Sequence, residues 1–330
     1  MRISRRVLVD HHRSQYFHVV SRVVDRRFIF QNEEKSVFLR MMRKLESFCG
    51  IEVLSYCLMS NHFHLLIHVP RRPDKIDDTE VLRRMKELYS NKKMEEFHEY
   101  MNELEQAGLK ELKSQFLDRF RNRMYDLSQF VRELKLKFSK YYNAKIERKG
   151  TLWEERFKSC LIEGHTNALM NTAAYMELNP VRAGLVEDPA DYQWCSFAEA
   201  KKGGKTARMG IIKLASGFAH PMPYKEAEKS YRAFFVAKSV SQSGSLTGMN
   251  AEELHAIQQN SVAQDRKSSK SFSIKVRSFT EGLILGSREF IEETFNRNKD
   301  SMSPQRKKIS TRIPDTHEDL YSYRDLNKVQ

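Results

Sequence analysis

The sequence predicts an α+β fold in which an antiparallel sheet is covered by helices. Three observations predict it. Residues 14–30 are rich in β-branched and aromatic side chains, residues 32–48 are amphipathic, and two strand-like runs at 51–59 and 62–69 are separated by only two residues. So short a connection is typical of a β-hairpin. Strand, helix and hairpin in this order indicate the layered α+β class.

The first helix is indicated by Val37, Met41 and Leu45, which recur at helical spacing. Asn32 is a candidate N-cap, and Gly50 follows the predicted end, where glycine is favoured. This helix therefore connects the first strand to the hairpin.

The region after the hairpin is predicted to be a helical insertion, because residues from about 71 to 127 are charged and carry no strand signal. A long amphipathic helix is predicted to follow, then a strand at 156–164 and a helix at 166–179. The apolar residues along one side of the long helix are Leu127, Val131, Leu134, Phe138 and Tyr141.

The character of the sequence changes near residue 200, where a Gly/Lys-rich linker begins. We therefore assign residues 1–200 to the α+β unit. Residues 201–300 are predicted to form a mostly helical extension, a candidate DNA-binding module in so basic a chain. Residues 301–330 are predicted to be a disordered tail.

The net charge of +14 favours a polyanionic partner, and nucleic acid is favoured over an anionic membrane surface. No stretch approaches the roughly 18 consecutive apolar residues of a membrane span. The four cysteines form no CxxC pair, so neither a disulfide framework nor a cysteine zinc site is indicated. We expect a soluble protein in a reducing cytoplasm.

The second hairpin strand carries histidines at alternate positions. His62, His64 and His68 share one face of that strand with Leu66, whereas the other apolar side chains share the opposite face. Two imidazoles at i and i+2 stand side by side and can both reach one divalent ion. The alternative is that they are ordinary histidines on a half-exposed face.

A helix further along the chain supplies polar groups on one stripe. Asn171, Tyr175 and Asn179 are four residues apart, so they share a helix face. A tyrosine there could attack a phosphate while a carboxamide oxygen holds a metal ion. The alternative is an amphipathic tyrosine at a helix rim, with Asn179 placed before the proline that ends the helix. Tyr141 and Tyr142 are rival nucleophiles.

Four sequence motifs resemble one known family. They are YFHVVSRVVDRR, LMSNHFHLLI, GTLWEERFKSCLIE and YMELNPVRAGLVEDPADYQWCSF, which together span about 14–198. In this order they resemble the single-tyrosine HUH transposases of small insertion sequences, and among them the REP-associated tyrosine transposases. The resemblance implies a ferredoxin-like catalytic domain over 1–200 that cuts single-stranded or hairpin-tipped DNA.

The resemblance also implies residue roles. His62 and His64 match the two histidine metal ligands, and Asn179 matches the position of the third ligand. Tyr175 matches the nucleophile, which would form a 5′-phosphotyrosine. The family implies Mg²⁺, whereas Mn²⁺ suits a mixed imidazole and carboxamide site better, so both metals are named. His68 matches no role. Related transposases can pair subunits, so a homodimer is one arrangement that the resemblance allows.

The connector between the long helix and the following strand offers contacts to DNA. Trp153 or Phe157 could stack on bases, although Trp153 also suits the core. The candidate phosphate-binding residues are Arg148, Lys149, Arg156 and Lys158.

Two other functions remain open at this point. One is a DNA-binding regulator of repeated hairpins that has this fold and no longer cuts. The other is a metal-dependent hydrolase in which the histidine pair activates water, which would need no tyrosine and lacks an obvious carboxylate base near His62.

Overall fold

The computed structural model describes residues 8–217, 221–243, 278–279, 282–299, 310–313 and 319–323. The strands are β1 (Gln15–Arg22), β2 (Glu52–Leu58), β3 (His62–Val69), β4 (Lys158–Ile162), β5 (Ile284–Gly286), β6 (Ser310–Arg312) and β7 (Tyr321–Tyr323). The helices are α1 (Asn32–Cys49), α2 (Asp78–Leu88), α3 (Asn91–Gln106), α4 (Lys110–Arg121), α5 (Leu127–Lys145), α6 (Thr166–Glu177), α7 (Asn179–Arg182), α8 (Ser196–Lys201), α9 (Lys205–Ser216), α10 (Tyr224–Ser243) and α11 (Arg288–Arg297).

The first four strands form an antiparallel sheet in the order β2-β3-β1-β4, which is the order of a ferredoxin-like fold. The predicted α+β class is confirmed, and helices cover both faces of this sheet. In the β1–β3 register, Arg22 lies opposite His62 and Val20 lies opposite His64. Side chains of directly opposed residues point to the same face. β1 therefore lines the histidine face of the sheet.

The sheet continues beyond these four strands to seven, and it is mixed rather than wholly antiparallel. β5 pairs with β4 in parallel, and β7 and β6 follow in antiparallel pairs. The expectation of a helical extension and a disordered tail missed all three strands. Each is three residues long, too short for a period-two pattern, and β5 is held by pairing with a strand more than a hundred residues earlier.

The predicted helix before the hairpin and the helical insertion are both present. α1 ends at Cys49 and is capped by Gly50, whose φ of 66° is the left-handed conformation that favours glycine. Its N-cap is Gln31 rather than Asn32, and the Gln31 side chain makes no capping hydrogen bond. Helices α2, α3 and α4 form the insertion, and Val81 and Met85 of α2 are buried in the same core as Phe48 of α1.

Two apolar clusters lie on the two faces of the sheet. Phe63, Leu65 and Ile67 pack with α1 and α5 in one, as the alternation in β3 predicts. Leu66 packs with Leu169 of α6 in the other. The histidine face is therefore covered by α6 rather than left free, which corrects the interpretation of a half-exposed face.

Among the helices in the described parts of the chain, none is both long and apolar enough to cross a bilayer.

Candidate catalytic site

The face of the sheet beneath α6 brings the predicted histidines and tyrosine together. The ring centroids of His62 and His64 are 5.0 Å apart, and that of Tyr175 is 6.1 Å from His64. Ala168 and Ala173 of α6 are buried in the same apolar cluster as Leu66 of β3, so α6 packs on this face of the sheet. Tyr175 therefore reaches the histidines from within the same chain.

The hydrogen bonds around His62 determine which of its nitrogens carries the proton. The Asn61 side-chain amide donates to the Arg26 carbonyl at 3.1 Å, so the Asn61 oxygen is turned towards His62. That oxygen lies 2.6 Å from His62 Nδ1 and can only accept. Neutral His62 is thus protonated on Nδ1 and keeps a lone pair on Nε2.

His64 is oriented in the same way by His18 on β1. His18 Nδ1 donates to the Phe279 carbonyl at 2.9 Å, which leaves His18 Nε2 as an acceptor. His64 Nδ1, 2.9 Å away, donates to it. His64 therefore also keeps its lone pair on Nε2, the form in which an imidazole binds a metal ion.

Both histidines are held in the neutral state. Burial and, to a smaller extent, the nearby charge of Arg22 together lower the pKa of His62 to about 4. Burial lowers the pKa of His64 well below its ordinary value, and its charged and imidazole neighbours add to this effect. At neutral pH neither imidazole needs to lose a proton before it can bind a cation.

Tyr175 is enclosed on several sides, with only 7% of the residue exposed. Its ring stacks on Phe279 at 4.6 Å between centroids, and the Arg182 guanidinium lies 4.6 Å from its centroid. Burial raises the pKa of Tyr175, whereas the charges of Arg182 and Arg22 oppose that rise. The two arginines thus favour the phenolate, the form in which tyrosine is a good nucleophile.

Asn179 begins the short helix α7, directly after α6. Its side-chain oxygen accepts a hydrogen bond from Arg182 at 2.8 Å, and its side-chain nitrogen donates to the Met176 carbonyl at 3.0 Å. A carboxamide oxygen has a second lone pair, so one acceptor position remains. Asn171, on the same predicted stripe, bonds back to Asn167 within α6.

The donor set suits a divalent cation. His62 and His64 present two neutral imidazoles, and Asn179 retains one acceptor position on its oxygen. Across the described residues no group of three or more His, Cys, Asp and Glu side chains has an arrangement that could hold a metal ion. A third protein ligand would therefore have to be another kind of donor, and the Asn179 carboxamide is the one that the family resemblance implies. Nitrogen and oxygen donors together match Mn²⁺ better than Mg²⁺.

The two aromatic side chains of the connector that were candidates for stacking on DNA bases are not accessible to DNA. Trp153 is buried and donates to Ser139 Oγ at 2.8 Å, so the alternative that it belongs to the core is the one the structure shows. Phe157 is also buried, in the same cluster. Stacking on exposed bases needs a free ring face, which neither residue has.

The predicted phosphate-binding residues differ in their surroundings. Arg148 donates to the Thr151 carbonyl at 2.8 Å, and Lys158 lies 3.1 Å from the Glu155 carboxylate. The remaining two candidates, Lys149 and Arg156, are exposed.

His68, which matched no family role, is buried rather than at the surface. Its Nδ1 lies 2.7 Å from the Glu52 carboxylate.

Four further residues lie around the site and were not predicted from the sequence: His18, Arg22, Arg182 and Phe279. His18 and Arg22 lie on β1 at positions that share a face with the histidines, so pairing the two predicted strands in register would have found them. Phe279 lies about a hundred residues beyond α6, and no local pattern links it to the site.

The comparisons with known proteins bear on this geometry. Residues 11–109 match the family of IS200-like transposases. The resemblance indicated by the sequence motifs is thereby confirmed for this part of the chain. The transposase match includes the hairpin with His62 and His64 and ends before Tyr175, so the position of the tyrosine is a separate, structural observation.

A solved structure of a REP-associated tyrosine transposase bound to a REP hairpin is similar to this chain. The identity is 14% and the TM-score 0.34, over 58% of this chain and 81% of that one. No curated protein matches the chain.

Proposed function

We propose that the chain is a metal-dependent DNA endonuclease and strand transferase of the REP-associated tyrosine transposase kind. One observation carries the proposal: the ring centroid of Tyr175 lies 6.1 Å from that of His64. His62 and His64 make their hydrogen bonds through Nδ1, which leaves the lone pair on each Nε2 for a metal ion. The family match, which contains both histidines, supports the same chemistry.

The reaction would be an in-line transfer at phosphorus. Tyr175 Oη forms a bond to the scissile phosphorus as the P–O3′ bond breaks, which leaves a 5′-phosphotyrosine and a free 3′-hydroxyl. The phenol proton is lost, and O3′ gains a proton as it leaves. A divalent ion at His62, His64 and Asn179 would polarise a non-bridging oxygen of the phosphate. Arg182 and Arg22 favour the phenolate before attack.

The covalent intermediate suits strand transfer as well as cleavage. The phosphotyrosine keeps the energy of the phosphodiester bond, so the 3′-hydroxyl of another strand can displace Tyr175 without ATP. A single-stranded or hairpin-tipped substrate is proposed because the attacking phenol needs an unpaired backbone. The proximity of Tyr175 and His64 within one chain supports cleavage without a second subunit, so a homodimer is not required for it.

The decisive experiment is trapping of the covalent adduct. The wild type is incubated with end-labelled single-stranded hairpin DNA and Mn²⁺ or Mg²⁺, then run on a denaturing gel. We expect a DNA–protein adduct with the wild type and none with Tyr175→Phe, which removes only the nucleophilic oxygen. Tyr142→Phe is the matched control, because it removes a phenol from the rival position and should leave the adduct intact. An adduct that survives Tyr175→Phe would contradict the assignment.

A second candidate is a DNA-binding protein that does not cut. It is favoured by the enclosure of Tyr175 beneath Phe279 and Arg182, and by the hydrogen bond that already engages the Asn179 oxygen. In the same assay, DNA binding with no adduct under either metal would support this candidate. Cleavage without an adduct would instead indicate a hydrolase.

A further inference from the structure

The loop between β1 and α1 exposes an aromatic ring to solvent. Phe28 is 72% exposed, the highest value for a large hydrophobic residue in the described parts of the chain. The next two residues, Ile29 and Phe30, are 5% and 1% exposed and belong to the core. Phe28 thus stays exposed although the two residues that follow it are anchored in the core.

The loop has a defined conformation. Phe30 N–H donates to the Ser60 carbonyl at 3.0 Å, and the Gln31 side chain donates to the Phe28 carbonyl at 3.1 Å. Asp25 and Arg26 have φ values of 56° and 53°, in the left-handed region that residues other than glycine rarely adopt. Such backbone persists only where the surroundings hold it, and it is common at ligand-binding sites.

The same loop is bonded directly to the candidate metal site. The Arg26 carbonyl accepts from the Asn61 side-chain amide, and the oxygen of that amide accepts from His62. At the start of the loop, Arg22 lies opposite His62 in the β1–β3 pairing. Phe28 is therefore on a segment that borders the position where the scissile phosphate would be bound.

The charge of the loop complements a nucleic-acid backbone. Arg26 and Arg27 directly precede Phe28 in the sequence, and both are exposed. Within the described residues, neither guanidinium forms an ion pair, and Asp25 is the one acidic residue of the loop. A free ring beside two unpaired cations is the combination with which proteins hold single-stranded DNA, by base stacking and phosphate contacts.

We propose that Phe28 is a stacking platform for a base of the single strand next to the cut phosphate, with Arg26 and Arg27 bound to neighbouring phosphates. The proposal rests on the proposed function for the location of the cut. A second copy of this chain is a poorer occupant, because one ring among charged residues offers far less apolar area than a stable dimer interface needs.

The test measures binding without metal, in the full chain. The probe is a single-stranded oligonucleotide with 2-aminopurine, whose fluorescence falls on stacking, and the dissociation constant is measured at several salt concentrations. We expect Phe28→Ala to raise the dissociation constant about tenfold and to abolish the quenching. Phe28→Trp should restore both. Leu112→Ala, which truncates an exposed apolar residue of the insertion, is the matched control and should bind like the wild type.

The salt dependence separates the two kinds of contact. Phe28→Ala should leave the slope of affinity against salt unchanged, because no charge is lost. Arg27→Gln should reduce it by about 0.7, the value for one lost phosphate contact with a single strand. Equal affinity and quenching for the wild type and Phe28→Ala would overturn the proposal. So would a Phe28→Ala variant that binds normally but sediments as a smaller species, since the ring would then serve a dimer.

The effect of Phe28→Ala on DNA binding can be measured without any cleavage. Repeating the measurement in Tyr175→Phe keeps the binding contacts and removes the proposed nucleophile. If no adduct ever forms and Phe28→Ala still weakens binding, the platform survives while the proposed cleavage fails. If adducts form normally and Phe28→Ala has no effect on binding, the platform alone fails.

Discussion

At the scale of single residues, His18 decides which nitrogen of His64 is free. Its two hydrogen bonds form a chain from the Phe279 carbonyl through His18 to His64 Nδ1. Burial lowers the pKa of His18 to about 4, so it is neutral and can act as an acceptor. A metal-binding histidine whose other nitrogen is held in this way has a fixed tautomer and ring orientation.

Replacing His18 with phenylalanine tests this role. His18→Phe keeps an aromatic ring but removes the acceptor, so His64 Nδ1 loses its partner and the ring can rotate. We expect Mn²⁺ affinity, measured by isothermal titration calorimetry, to fall about 10- to 100-fold. His18→Gln, whose amide oxygen can accept from His64, should retain more of the affinity. If folded His18→Phe binds Mn²⁺ as the wild type does, the orientation of His64 does not depend on this bond.

At the scale of elements, Glu177 joins the end of α6 to three other elements, β2, α8 and α10. Its carboxylate accepts from Ser55 Oγ on β2 at 2.7 Å, from the Phe197 amide on α8 at 2.7 Å and from Tyr231 Oη on α10 at 2.9 Å. The residue is fully buried, two positions from Tyr175. The direction in which α6 carries its tyrosine therefore depends on a polar network as well as on the apolar face of the helix.

We expect Glu177→Gln to lower the free energy of unfolding by about 1–3 kcal/mol at pH 7. Both carboxylate oxygens of Glu177 accept hydrogen bonds, whereas a glutamine side chain has only one oxygen that can accept. Urea denaturation measures the loss. Glu187→Gln, at an exposed position ten residues later, is the matched control and should change stability by no more than about 0.5 kcal/mol. Equal losses for the two variants would show that the network contributes nothing specific.

The same carboxyl group predicts a pH dependence. Burial raises the pKa of Glu177 from 4.5 to about 7, and its hydrogen bonds oppose that rise. The folded protein therefore binds this proton more tightly than the unfolded chain does. The resulting stabilisation is complete below about pH 4.5 and is lost as the pH rises through 7. Glu177→Gln should lack this fall in stability between about pH 4.5 and 7, and a variant with the unchanged slope would contradict the assignment.

At the scale of the whole molecule, sequence patterns predicted the helices and strands that are determined by residues close together along the chain. α1, the hairpin and α6 were all predictable because their apolar residues repeat with the period of the element. The approach of Tyr175 to His64 was predictable only through the family resemblance. The enclosure of Tyr175 by Phe279 and the pairing of β5 with β4 were not predictable, because both join residues about a hundred positions apart through very short segments.

The C-terminal strands share their core with strands β1–β4. Ile284 belongs to the same cluster as Phe17 and Phe63, and Leu285 to the cluster that contains Leu66 and Tyr175. Ile284 and Leu285 are both fully buried. If these clusters are single cores, the C-terminal strands should unfold together with β1–β4 rather than as a separate unit.

Leu285→Ala tests this coupling. Removing a fully buried leucine side chain costs about 2–5 kcal/mol. If the sheet unfolds as one unit, that loss should shift the whole denaturation curve to lower urea, with tryptophan fluorescence and far-ultraviolet circular dichroism still giving one midpoint. Both tryptophans, Trp153 and Trp194, lie outside the C-terminal strands, so fluorescence reports on the earlier part of the chain. An unchanged fluorescence midpoint with an earlier partial loss of circular dichroism would show that the C-terminal strands melt alone. In that case Phe279 could leave Tyr175 without unfolding strands β1–β4.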